Sequence, residues 1–79
     1  MLVPLYGFLR GDTIGLLVLV HETDTVADIG IKLQQAAAVR VIPTKGFEVY
    51  HDTQRLALEL TIKQAGLSAL DRVDVVQVP

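Results

Sequence analysis

Residues 24–37 read D-T-V-A-D-I-G-I-K-L-Q-Q-A-A, and this stretch predicts an amphipathic helix. Thr25 is a side chain able to cap the free N–H groups of a first turn. Asp28, three residues on, makes a variant of the capping box and sets a carboxylate at the positive end of the helix dipole. Val26, Ile29, Leu33, Ala36 and Ala37 recur at helical spacing and form the face expected to be buried, with Asp28, Lys32 and Gln35 off it. Gly30 weakens such a helix by up to about 1 kcal/mol relative to alanine. Pro43, followed by Thr44, Lys45 and Gly46, ends any helical reading.

Outward from the helix, both flanks read as strands. Residues 2–10 mix leucine, valine and aromatic residues, with Pro4 confining them to an edge or a strand end. Gly11-Asp12 supplies turn chemistry, residues 13–20 form a second strand, and the pair makes a hairpin. Residues 21–24 are a polar break before the helix. Beyond it, residues 47–51 alternate as a half-buried strand, 52–55 form a turn and 56–60 a short strand. Thr61 caps one helical turn through Ala65, closed by Gly66, and residues 73–78 are the last strand. The order β-β-α-β-β-(short helix)-β implies a two-layer α+β domain, a five-stranded mixed sheet packed on one main helix. No repeat, linker or low-complexity segment divides residues 1–79, so a single domain is expected.

Composition fits that reading. The 51% hydrophobic content supplies a core, and with no cysteine present packing must do all the work of stabilisation. A mean hydropathy of +0.44 raises the question of a membrane segment. The longest apolar run, residues 14–20, is far short of the roughly 20 residues a spanning helix needs, and no basic stretch precedes it as in a signal peptide. A cytoplasmic protein is expected. The net charge of −2, with no cluster of Lys or Arg, argues against nucleic acid and anionic membrane. The aromatics Tyr6, Phe8, Phe47 and Tyr50 are not interleaved with basic residues as a base-stacking platform requires.

Catalytic chemistry is sparse. His21 and His51 lie on different elements, without H-x-x-x-H or E-x-x-H spacing, and Glu22, Glu48 and Glu59 all fall outside the helix. Ser68, in G-L-S-A-L, lacks the second glycine of a nucleophile elbow. The glycines never group into a phosphate-binding loop. No catalytic, cofactor-binding or metal-binding residue is expected. The sequence ends Val76-Gln77-Val78-Pro79 rather than in the Gly-Gly tail that conjugation or sulfur transfer needs, so neither activity is expected.

The element order and spacings resemble the ubiquitin-like β-grasp. Within it, residues 16–33 (LLVLVHETDTVADIGIKL), 39–43 (VRVIP) and 60–76 (LTIKQAGLSALDRVDVV) resemble the B component of bacterial toluene monooxygenase systems. That family is the small ubiquitin-like gamma subunit of a multicomponent di-iron hydroxylase. Arg40-Val41-Ile42-Pro43 matches its R-V-x-P segment, without the family's more basic stretch before it. Thr61 to Leu67 and Asp74-Val75-Val76 match its closing motifs. The resemblance implies a non-catalytic accessory subunit whose partner is the larger di-iron subunit, iron belonging to another chain. It also implies a partner contact at Arg40. The alternative is a free-standing ubiquitin-like interaction module. In isolation a monomer or weak oligomer is expected.

Alternation along the second strand sets Ile14, Leu16, Val18 and Val20 on one face and Leu17 and Leu19 on the other. A sheet covered by one helix needs a single apolar face, so Leu17 and Leu19 are in surplus. Together with Tyr50 and Val76, and with Phe8 or Leu9 beside them, they form the expected partner-binding surface.

Overall fold

A computed structural model describes residues 1–78. The elements are β1 (Leu2–Leu9), β2 (Gly15–His21), α1 (Val26–Ala36), β3 (Gly46–His51), β4 (Gln54–Leu56) and β5 (Arg72–Val78). The strands make one mixed sheet in the order β2-β1-β5-β3-β4, with α1 across one face. β1 and β5 run parallel, Tyr6 beside Arg72 through Leu9 beside Val75, and the other neighbours are antiparallel. A parallel pair needs a long crossover, which α1, β3 and β4 supply. This is the α+β β-grasp arrangement that the element order implies.

The helix begins as its sequence predicts. The Asp28 carboxylate accepts from the Thr25 backbone N–H at 2.9 Å and from its hydroxyl at 3.1 Å. The next two amides are satisfied from far along the chain. Val26 donates to the Leu60 carbonyl at 2.8 Å and Ala27 to that of Leu58 at 3.0 Å. Ile62 and Lys63 donate back to Asp24 and Glu22. All of these would otherwise be orphan groups at a helix end or in a loop.

Val26, Ile29 and Leu33 are fully buried against Leu5, Val20, Val49, Ile62, Val73 and Val75. The helical face differs from expectation at its C-terminal end: Ala37 is buried but Ala36 is exposed, and Gln34 takes the inward position. Ala37 follows Leu33 by four residues and keeps to the buried row, while Ala36, the last helical residue, falls to its solvent side. Phe47 packs over Gly30 so closely that its ring leaves no room for a Cβ there. The glycine that weakens the helix locally is the one that lets β3 approach it.

Several strand ends shift by a single residue from the sequence reading, and three readings change more. β2 starts at Gly15 rather than Thr13, because the Thr13 amide is taken by the Asp12 carboxylate at 2.8 Å. β4 occupies Gln54–Leu56, not 56–60: Asp52 and Thr53 both have positive φ (50° and 70°) and form a two-residue turn, so pairing resumes at once with His51 opposite Gln54. The carbonyls of Leu58 and Leu60 then serve the helix start instead of a strand. The turn at Thr61 is hydrogen-bonded, with Thr61 and Gln64 capping each other, but it is not a helix.

Two substitutions test this account. Thr53 is β-branched at φ 70°, so T53G should raise stability by about 1 kcal/mol in chemical denaturation. G30A should lower it by about 1–2 kcal/mol despite alanine's better helix propensity, and in an F47A background the sign should reverse.

Candidate functional site

The sheet face away from α1 is built by alternation along each strand. β1 contributes Leu2, Pro4, Tyr6 and Phe8, and β2 contributes Gly15, Leu17 and Leu19. The register sets Pro4 opposite Leu19, Tyr6 opposite Leu17 and Phe8 opposite Gly15. The result is an apolar strip whose members stay in solvent: Leu17 is 56% exposed, Leu2 54%, Leu19 50% and Tyr6 46%. Side chains directly opposite on an antiparallel pair touch, so Leu17 and Leu19 belong with Tyr6 and Pro4 in one patch.

The sequence reading found Leu17 and Leu19 but missed Leu2 and Tyr6. The signal was there: Pro4, on the outward side, fixes Leu2 and Tyr6 outward by the two-residue period. Leu9, weighed as a surface residue, is a core residue instead, 2% exposed and beside Val75.

At its lower end the strip meets an aromatic–cation stack. The Phe8 ring lies over Gly15, where a Cβ would stand 2.6 Å from the ring. The Arg72 guanidinium sits 4.1 Å from the centroid of that ring, and it also contacts Asp74 at 3.1 Å. Beyond Arg72 and Asp74 the face turns polar. Tyr50 donates to Glu48 at 2.9 Å, and Arg55 pairs with the same carboxylate at 2.9 Å. Hydrogen bonds from Tyr50 and then Arg55 hold the Glu48 carboxyl below its usual range, while Glu48 pushes the Tyr50 phenol up. Val76 is half-buried opposite Glu48.

Tyr50 and Val76 therefore share the face with Leu17 and Leu19, but β1 lies between Val76 on β5 and the two leucines on β2, and both β1 and β5 lie between them and Tyr50 on β3. Arg40 lies elsewhere, just past the helix. Its guanidinium grips Asp12 in the β1–β2 turn through Nε at 3.0 Å and Nη2 at 2.9 Å. That hydrogen bonding lowers the Asp12 pKa and raises that of Arg40.

Among the described residues no three His, Asp or Glu side chains converge as metal ligands, and no helix is long and apolar enough to cross a membrane. The face is apolar on β1–β2 and carries the charged groups on β5–β3–β4.

Comparison with known proteins adds the following. Residues 2–77 match the family described as Toluene-4-monooxygenase system protein B (TmoB). No curated protein sequence matches the chain. Among solved structures, a chain of a toluene 4-monooxygenase HD complex with the inhibitor 4-bromobenzoate superposes with a TM-score of 0.88 at 24% identity, covering 99% of this chain and 100% of that one. Caldiarchaeum subterraneum ubiquitin superposes at 0.78 with 14% identity, covering 100% and 96%. A ubiquitin-like domain from Arabidopsis thaliana superposes at 0.74 with 18% identity, covering 96% and 77%. The fold is ubiquitin-like.

The ion pairs make a titration prediction. Asp12 and Glu48 both have lowered pKa values, so their contribution to stability is present above the unfolded values near 3.8 and 4.5 and is lost as pH falls through the lowered folded ones. Carboxyl-carbon NMR should show both titrating below those values, and R40A should return Asp12 towards 3.8. The raised Tyr50 acts oppositely, stabilising below pH 10 and losing that contribution as its phenol ionises. E48Q should lower its midpoint in ultraviolet titration.

Proposed function

This chain belongs to the toluene-4-monooxygenase system protein B family, and we propose that it is a non-catalytic accessory subunit docking on the larger, di-iron subunit of such a hydroxylase. Oxygen, iron and reducing equivalents are handled by other chains in the cytoplasm, and this one contributes assembly and stability. The observation that carries the reading is the apolar strip of Leu2, Pro4, Tyr6, Leu17 and Leu19 on the face away from the helix. An antiparallel face open to water is ordinarily polar, and contiguous exposed apolar surface marks a protein interface.

The strip has the anatomy of one. An aromatic ring, Tyr6, sits between aliphatic neighbours, the composition of an interface centre. The charged groups beside it, Arg72 with Asp74 and Glu48 with Arg55, form the polar rim that surrounds such centres. Leu17 and Leu19 are the residues on which binding is assigned to depend most. Val76 on β5 and Tyr50 beyond it on β3 fall on the rim. The neighbour of equal length belongs to a toluene 4-monooxygenase complex, which supports a hydroxylase as the partner.

The purified chain mixed with the purified large hydroxylase subunit should form a stable complex by size exclusion and calorimetry. L17D/L19D should weaken it on the order of tenfold or more and lower the melting temperature only modestly, because both side chains are half exposed and lost cross-strand contact is their only packing role; circular dichroism should show the fold intact. A chain that stays monomeric in the presence of that subunit would overturn the proposal.

A further inference from the structure

We propose that the free edge of β2 is a strand-pairing surface fitted to a second copy of this chain, and that Lys32 keeps it shut. The proposal stands apart from the docking reading above, because it concerns backbone groups and needs no other subunit.

The edge follows from the register. In an antiparallel pair, residues alternate between exchanging both backbone hydrogen bonds and pointing those groups away from each other. On β1, the Pro4 carbonyl accepts from Leu70 and the Tyr6 N–H donates to Asp71, so these residues bond away from β2. Their opposites are Leu19 and Leu17, whose N–H and C=O groups therefore point away from β1. β2 ends the sheet on that side, so those groups meet no further strand.

Such edges are normally blunted by a charge, a proline, a bulge or a short strand. The opposite edge, β4, is three residues long and carries Arg55. β2 is seven residues long and its register with β1 is unbroken. From Gly15 to Val20 it holds neither a charged residue nor a proline. Protection comes instead from outside the strand. Lys32, on α1, reaches to the edge, and its Nζ donates to the Leu19 carbonyl at 2.9 Å. Asp24 closes the far end: its carboxylate accepts from the His21 N–H at 2.8 Å, and its backbone N–H donates to the His21 carbonyl at 2.9 Å. Among the described residues, nothing bonds the N–H and C=O of Leu17 or the N–H of Leu19.

The edge is self-complementary. A two-fold axis beside Val18 sets Leu17 of one copy opposite Leu19 of the other, twice over, as an isologous contact requires. Each such pair can exchange both of its hydrogen bonds, and in each the Leu19 carbonyl must accept from Leu17. The Lys32 ammonium stands where that Leu17 N–H would have to come, and the axis brings the obstacle in twice. The same pairing would join the two apolar strips side by side, since Leu17 and Leu19 lie in line with Tyr6 and Pro4. One side chain on the helix therefore holds the chain monomeric.

The test follows the full chain by sedimentation velocity over a concentration series, with amide hydrogen exchange read by NMR. The wild type should stay monomeric, its Leu17 and Leu19 amides exchanging freely. K32M keeps an apolar stem and removes the donor. It should dimerise at least about tenfold more tightly, with a hydrogen bond recovered on each side of the axis, and protect both amides. K32R, which still carries donors to the carbonyl, should behave as the wild type. Lys32 is exposed, so circular dichroism should show K32M folded, and K32Q carries the same comparison if it is not. The proposal is overturned if the folded variant stays monomeric, or if it associates while the Leu17 and Leu19 amides remain open. A wild type that already pairs through these amides would overturn it equally.

Discussion

The backbone exchange between the start of α1 and the segment after β4 is the constraint on which the rest of the structure depends. A helix end carries unsatisfied N–H groups, and here the carbonyls of Leu58 and Leu60 accept from Ala27 and Val26 while Ile62 and Lys63 return bonds to Asp24 and Glu22. The exchange fixes where the helix enters, and with it which side of the sheet is covered. It also brings Ile62 into the core against Val26. Without it residues 57–63 would be a surface loop with its polar backbone to satisfy in water, and the crossover that lets β5 run parallel to β1 would lose its anchor.

The opposite end of the helix is held differently. There side chains do the work: Gln34 and Gln77 bind the backbone at Thr44 and Ile42, and Arg40 binds Asp12. Between the two anchors the helix lies close on the sheet at two glycines. Gly7 faces Leu33, where a Cβ would stand 3.0 Å from its methyl carbon, and Gly30 faces Phe47. Close packing of helix on sheet leaves the core well filled, and the described residues hold no buried polar side-chain atom without a partner.

With the helix anchored on one side, the other sheet face is left to solvent, and its composition separates function from folding. Hydrophobic residues on the helix side are accounted for by the core. Leu2, Tyr6, Leu17 and Leu19 are not, since burial of Leu5, Val18 and Val20 on the alternate positions already satisfies β1 and β2. Phe8 is accounted for locally: it covers Gly15 and carries Arg72, so this aromatic is a boundary of the strip rather than part of its open surface.

The sequence by itself determined much of what depends on near neighbours. The Thr25–Asp28 cap spans three residues, the alternation that turns Leu17 and Leu19 outward spans two, and the Gly11-Asp12 turn is local; each was legible. The absence of cysteine was legible as composition. Tertiary structure alone decided the rest. The positive φ of Thr53, which moved β4 forward, has no signal in a β-branched residue. The partners Arg40 and Asp12, Gln34 and Gln77, and Val26 and Leu60 lie 28, 43 and 34 positions apart, too far for any periodicity to register. The pairing of Arg40, a partner contact by resemblance, with Asp12 had no signal in the sequence, because the two come near each other only once hairpin and helix are folded. The surplus of apolar residues was visible from the start. That Leu17 and Leu19 form a strip with Tyr6 on β1, and lie away from Val76 on β5 and Tyr50 on β3, depends on strand order, because chain spacing sets the direction of a side chain but only the sheet sets its neighbours.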